Sequence, residues 1–175
     1  MIPFPIHTDR LTLIPFTIQI CQEVLEGNFE SLSELGLVPG EGWPDKDMMD
    51  TLPRILKNLS KVEAPTGFES WMIIHTETQK LIGDIGFKGY NFFENSCDIG
   101  YGIIEAERKK GYAMEACLAL INWAFEHESL ETITAATLED NENSIKLLQK
   151  LNFEITTQEE GMIFWELKKF SYQSA

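Results

Sequence analysis

Arg108-Lys109-Lys110-Gly111-Tyr112-Ala113 is the stretch on which the reading of this chain turns. Before it stands a strand-like run, Cys97-Asp98-Ile99-Gly100-Tyr101-Gly102-Ile103-Ile104, and after it a helix-like run from Met114 to Phe125. Strand, basic turn with a glycine, then helix is an order that builds an anion site. The first turn of a helix has N–H groups without intrahelical acceptors, and the helix dipole adds partial positive charge there. Gly111 removes a side chain where a ligand must approach the backbone. Arg108, Lys109 and Lys110 supply charge that suits a diphosphate.

Around this turn the composition is that of a folded protein. The 175 residues, 43% hydrophobic and 24% charged, suffice for one domain with a real core, so a single domain over residues 1–175 is expected. A net charge of −14 disfavours binding to nucleic acid. Such a charge either serves only to maintain solubility or would attract cationic partners such as amines or basic peptides. Cys21, Cys97 and Cys117 are scattered, with no C-x-x-C spacing, so neither a disulfide framework nor a zinc site is expected. Met1-Ile2-Pro3-Phe4-Pro5 lacks the basic and apolar regions of a signal peptide. No apolar run approaches the roughly 20 residues of a membrane span. These features predict a soluble cytoplasmic protein with no metal and no membrane partner, and they leave a homodimer open.

Working outward, Arg10 to Phe16 alternates as a first strand, and Thr17 is placed to cap a helix reaching about Glu26. Asn28 to Leu37 predicts a second short helix, and 38–44, rich in Pro and Gly, a loop. Asp45 to Leu59 reads as a helix with Pro53 in its first turns or at a kink. Strands follow at 71–74, 81–87 and 97–104, an antiparallel meander with glycines at 83, 86, 100 and 102. Those glycines suggest bulges, a backbone left open for a ligand, or small residues packing within the sheet. Thr132 to Leu138 is a β-branched strand, Asp140-Asn141 caps a helix, and 153–156 and 162–167 close the chain as strands. The outline is α-rich first, then ββββ-α-β-α-β-β, a mixed α+β protein with a central sheet.

At these residues the chain resembles the GNAT superfamily of N-acetyltransferases and, within it, the RimJ/RimL-like branch. The family's Q/R-x-x-G-x-G/A signature is matched by Arg108, Gly111 and Ala113. Thr8-Asp9-Arg10-Leu11-Thr12-Leu13 resembles the branch's first strand, Ile99 to Ile104 its fourth, and Asn141-x-x-Ser144 its N-x-x-S segment. The segment Leu147 to Phe153 resembles the family's helix-to-strand passage, with Asn152 where glycine is usual; asparagine is the next best residue for left-handed backbone. The resemblance implies an α+β fold with a central mixed, mostly antiparallel sheet flanked by helices, and a splayed strand pair holding the cofactor. It implies acetyl-CoA as cosubstrate, bound by Arg108, Lys109, Lys110, Gly111, Tyr112, Ala113, Asn141 and Ser144, with the backbone of Ile103 and Ile104 along pantetheine. The acceptor it implies is a primary amine, of a cationic small molecule, a polyamine or a protein N-terminus.

Transfer to an amine makes a base more important than an acid. An alkylammonium has a pKa near about 10.4 and must lose its proton, whereas a thiol near about 8.5 leaves with little help. Asp84, Asp98 and Glu139 are candidate bases, acting directly or through water; the resemblance prefers Asp98, since relatives often carry an acidic residue just before the Ile-Gly-Tyr run. Leu148 stands where many members of the family carry a proton-donating tyrosine. Ser144, as in the RimJ/RimL-like branch, takes that role by resemblance; as a residue of the first helical turn it has a structural role as well. A chain that kept the cofactor turn and lost strong catalysis, an acyl-CoA sensor or regulatory module, is the alternative.

Overall fold

The computed structural model describes residues 3–174; Met1, Ile2 and Ala175, which belong to the expected domain and N-terminal reading, lie outside the described residues. Strands β1 (Ile6–His7) and β2 (Leu11–Pro15) lead into helices α1 (Ile18–Leu25) and α2 (Glu30–Glu34). A two-residue strand β3 (Val38–Pro39) and helix α3 (Lys46–Leu59) follow. Then come β4 (Ser70–His75), β5 (Lys80–Asn91), β6 (Ser96–Ile103), α4 (Tyr112–Phe125), β7 (Thr132–Leu138), α5 (Glu142–Lys150), β8 (Glu154–Glu159), β9 (Met162–Lys168) and α6 (Lys169–Ser174).

The helices start where short polar side chains can accept from free amides. Thr17 Oγ1 accepts from Ile20 N–H at 3.2 Å, and Asp45 Oδ1 accepts from Met48 N–H at 2.8 Å. Met48, Leu52, Ile55 and Leu59 form the buried stripe of α3. Pro53 lies in the middle of α3 on its exposed side, further in than the first turns. Asn152 adopts φ of 65°, the left-handed conformation expected after α5.

The nine strands of the described residues join one sheet, in the order β1-β2-β4-β5-β6-β7-β9-β8, with β3 beside β5. Among the described residues only β6–β7 and β3–β5 run parallel, so the sheet is mixed and mostly antiparallel. The expected outline differs in detail. Three strands, not four, separate α3 from α4, and β2 is the further member, paired with β4. The 38–44 segment contributes β3, whose two pairs are too few to leave a periodic signal.

The feature that positions the site is where one pairing stops. β6 and β7 are joined from Ser96↔Thr132 to Asp98↔Thr134 and no further. Beyond that point β6 continues to Ile103 and β7 to Leu138 with a gap between them. α4 covers one face of β6, burying Ala116, Cys117, Leu120, Ile121 and Ala124 completely. α3 lies against β5 and borders a cavity on the other face.

Candidate active site

The 108–113 turn is shaped by two left-handed residues, Lys109 at φ 63° and Gly111 at φ 83°. Gly111 is the N-cap of α4 and offers no side-chain cap. The first intrahelical bond runs from Glu115 N–H to Gly111 C=O at 3.1 Å. The amides of Tyr112, Ala113 and Met114 therefore have no intrahelical acceptor, which makes an anion site. The basic side chains are differently employed. Arg108 Nε donates to Ile103 C=O at 2.8 Å, and Lys110 Nζ pairs with Glu107 at 2.8 Å. Lys109 is exposed.

Residues far away in sequence brace this turn. Arg10 donates through Nε to Glu115 Oε2 at 2.7 Å and through Nη1 to Lys110 C=O at 2.9 Å. Its guanidinium lies 4.5 Å from the centroid of the buried Tyr112 ring. Thr8 Oγ1 also donates to Glu115, at 2.6 Å. Burial tends to raise the Glu115 pKa, but these donors together hold it below the ordinary range.

Backbone groups face the gap beside β6. Ile104 N–H donates to Ile82 C=O on the β5 side at 3.0 Å. The alternation of an antiparallel pair then turns the backbone of Ile103 and Tyr101 away from β5, toward the gap. Arg108 occupies the Ile103 carbonyl, and the N–H groups of Tyr101 and Ile103 remain directed at the gap. Ile104, expected to share the pantetheine contact, has its N–H engaged and its side chain buried.

Across the gap, Asn141 Oδ1 accepts from Ser144 N–H at 3.2 Å and caps α5. Ser144 is half-buried in the first turn, while Leu148, one turn on, is in the core. Ser144 approaches the Tyr101 side chain without closing a hydrogen bond; burial pushes that phenol up to about 12, a rise that Ser144 reduces.

On the opposite face of the sheet lies a cavity of about 290 Å³. Its floor is nearly bare: Gly86 pairs with Gly100, Asp84 with Gly102, and Ser70 with Gly86. Asp84 is the carboxylate set into this floor, with Asp45, Asp47 and Arg54 around it. Burial, reinforced by Asp45 and Asp47 and partly offset by Arg54, raises its pKa to about 7. The group is recessed among protein atoms yet open to the cavity.

The other carboxylates are placed differently. Asp98 sits where the β6–β7 pairing ends, ion-paired with Lys88 and accepting from Thr134 Oγ1 at 2.8 Å. Its oxygens are already engaged, and it borders a second cavity of about 560 Å³ rather than the first. Glu139 is exposed beyond the end of β7. Sequence reading missed Arg10 and Glu115 as braces and Tyr101 as a gap residue. The signal for Tyr101 was present in the alternation of 97–103; for Arg10, none existed short of the fold.

Residues 10–154 match the profile of the acetyltransferase (GNAT) domain family. The chain is 32% identical over 148 residues to YjdG of Bacillus subtilis, an uncharacterized N-acetyltransferase, covering 85% of this chain and 88% of that one. Among solved structures, a ribosomal-protein-S5-alanine acetyltransferase from Vibrio fischeri is similar at TM-score 0.68 and 16% identity, over 97% of this chain and 99% of that one. RimL, a ribosomal L7/L12 alpha-N-protein acetyltransferase in complex with coenzyme A, is similar at TM-score 0.69 and 14% identity, over 94% and 98%.

Proposed function

The chain belongs to the GNAT acetyltransferases, and from that premise we propose that it acetylates a primary amine by direct attack, with Asp84 taking the amine's proton. It is an acetyl-CoA-dependent acetyltransferase. The residues present fit that cosubstrate. The uncapped start of α4 suits the diphosphate, and the gap beside Tyr101 and Ile103 suits the pantetheine arm. Arg108, Lys109, Lys110, Gly111, Tyr112 and Ala113 form the diphosphate turn in this reading, and Asn141 and Ser144 line the far side. A RimJ/RimL-like member acting as a single domain is the reading that the branch motifs support.

The chemistry then has a place for each group. An ammonium is drawn into the cavity by Asp45 and Asp47 and gives its proton to Asp84, directly or through water. Its nitrogen attacks the thioester carbonyl from the cavity face; the C–N bond forms, the C–S bond breaks, and the nitrogen's second proton ends on the departing thiolate. Charge on the carbonyl oxygen is met by a gap-facing N–H of β6. The departing thiolate needs only modest help, which Ser144 supplies.

Direct attack is favoured because no cysteine is a usable nucleophile. Cys21, Cys97 and Cys117 are all buried, and burial pushes each thiol upward, Cys21 to about 12. The observation that carries the proposal is Asp84, a carboxylate of raised pKa in a glycine floor. The acceptor falls in the class of cationic small amines, polyamines and protein N-termini; RimL, an alpha-N-protein acetyltransferase, acts on the last of these. A panel of amines and peptides, followed by thiol release from acetyl-CoA, tests the activity. Wild-type turnover that Asp84→Asn leaves intact would remove Asp84 as the base.

A further inference from the structure

Three basic residues border the cavity that holds Asp84, beside three carboxylates: Arg54, Lys88 and Arg108 against Asp45, Asp47 and Asp84. Lys88 is held by Asp98, and Arg108 Nε by the Ile103 carbonyl. Arg54 makes no hydrogen bond or ion pair among the described residues; it acts only at a distance, on Asp84, whose pKa it lowers against the effect of burial. Its own helix offers no partner. Asp50, four residues earlier, is taken by Lys46, and four residues later stands Asn58. Asp47, Thr51, Arg54 and Asn58 fall on one face of α3, and all four border the cavity. The chain thus lays a carboxylate, a hydroxyl, a guanidinium and an amide along one wall, next to the apolar stripe that seats the helix. A cation left unpaired on the wall of a cavity whose floor holds a carboxylate suits a ligand that carries both charges.

We propose that the acceptor is an amine with a carboxylate close to it, a free α-amino acid, whose carboxylate Arg54 receives while its ammonium faces Asp84. The inference rests on the acetyl transfer proposed above and narrows its acceptor. The guanidinium presents a planar fork of N–H donors that matches a carboxylate with two parallel hydrogen bonds. In an α-amino acid both charged groups are borne by one carbon, so one small ligand serves a floor and a wall that already influence each other electrostatically. A polyamine would bring a second ammonium against Arg54, and the equal numbers of cations and carboxylates in the lining give a polycation no net attraction. A carboxamide or peptide offers Arg54 only a neutral carbonyl, a weaker acceptor than a carboxylate.

The test is Arg54→Gln and Arg54→Lys, assayed by thiol release from acetyl-CoA with free amino acids, each beside its carboxamide, and with spermidine. Arg54 is exposed on α3, so both variants should fold as the wild type does, which unfolding curves check. The wild type is expected to prefer the free amino acids. Arg54→Gln is expected to lose about ten- to hundredfold in kcat/KM for them, the size of hydrogen bonds to a charged group, and Arg54→Lys to recover part of it. For the carboxamides the loss is expected to be slight. Removing a cation near Asp84 raises that carboxyl's pKa for every acceptor alike, so the comparison is made at about pH 8.5, above the Asp84 value of about 7. Equal losses for amino acid and carboxamide overturn the proposal, since Arg54 would then act only through Asp84. So does a wild type that prefers the carboxamides or spermidine. An absence of thiol release with every amine of the wider panel would instead overturn the acetyl-transfer reading itself.

Discussion

Asp84 on β5 stands opposite Gly102 on β6, and the atom nearest to where a Gly102 Cβ would lie is Asp84 Oδ1, at 3.4 Å. The glycine keeps the carboxylate open to the cavity. Any larger side chain there would cover it. The pair also explains why a charged residue is tolerated within a run that otherwise buries Leu81, Ile82, Ile85 and Phe87. Its neighbours leave a polar opening rather than closing over it.

Asp84→Asn should therefore lower kcat by about 10²–10⁴-fold while leaving CoA affinity near wild type. The same substitution has a stability signature. The folded pKa, about 7, lies above the ordinary carboxylate value of 3.8, so folding favours the protonated form. That contribution is fully present below pH 3.8 and is lost as pH rises through 7. Asp84→Asn should then stabilise the protein above pH 7 and change little near pH 3.8. Thermal unfolding at both pH values measures it; an Asn variant less stable at pH 8 contradicts the assignment. Wild-type kcat/KM should rise through about pH 7.

The glycines of the floor separate by what a side chain would meet. An added Cβ at Gly100 meets nothing within 4 Å and would project into open space, whereas at Gly86 it would lie 2.4 Å from Glu69 O. Gly100→Val should fold normally, raise the acceptor KM at least several-fold and leave the acetyl-CoA KM unchanged. Gly86→Ala should instead destabilise by about 1–3 kcal/mol, because backbone must move. Steady-state kinetics against both substrates, beside unfolding curves, distinguish them. A Gly100→Val enzyme with unchanged acceptor KM would show that the acceptor enters elsewhere.

Arg10 should matter to cofactor binding without touching the cofactor. It ties the first strand to Glu115 and to the Lys110 carbonyl, and so fixes the turn that aims the α4 amides. Arg10→Ala is expected to weaken CoA about tenfold and to cost about 1 kcal/mol of stability, the size of a typical net hydrogen bond. Lys110→Ala should do less, since Lys110 shares its charge with Glu107. Titration calorimetry on the two variants gives the order; equal losses would show that the turn needs no brace.

Most of the strands and helices could be read from sequence because their signals are local. Thr132–Leu138 is a run of β-branched and small residues, and the structure begins and ends β7 at those residues. Thr17 and Asp45 announce their helices by side-chain chemistry alone. β1, β3 and α6 could not be read, being too short or too polar to show a period. The choice among carboxylates was beyond sequence for another reason. Asp84 and Asp98 both sit on alternating strands, and only the sheet register reveals that Asp98 meets Lys88 while Asp84 meets a cavity. The cofactor turn was legible because strand, glycine and helix are adjacent in the chain; its brace from Arg10 joins residues about a hundred positions apart.

Ser144 and Asn141 share one helical turn and should fail in different ways. Asn141 Oδ1 receives the Ser144 amide, so Asn141→Ala removes the α5 cap and should cost about 1 kcal/mol of stability. The Ser144 amide is backbone and survives Ser144→Ala, which deletes only the hydroxyl. That variant should stay as stable as wild type. Thiolate departure near pH 7 demands little acid help, because the parent pKa is about 8.5. The loss in kcat should therefore fall at or below the low end of the about 10²–10⁴-fold range for a positioned acid. It should also shrink as the pH is raised toward that value, where the thiolate leaves unaided. Turnover of Ser144→Ala on its best acceptor, across pH 6.5 to 8.5, decides the matter. Wild-type kcat throughout would leave Ser144 as a first-turn residue with no part in the chemistry.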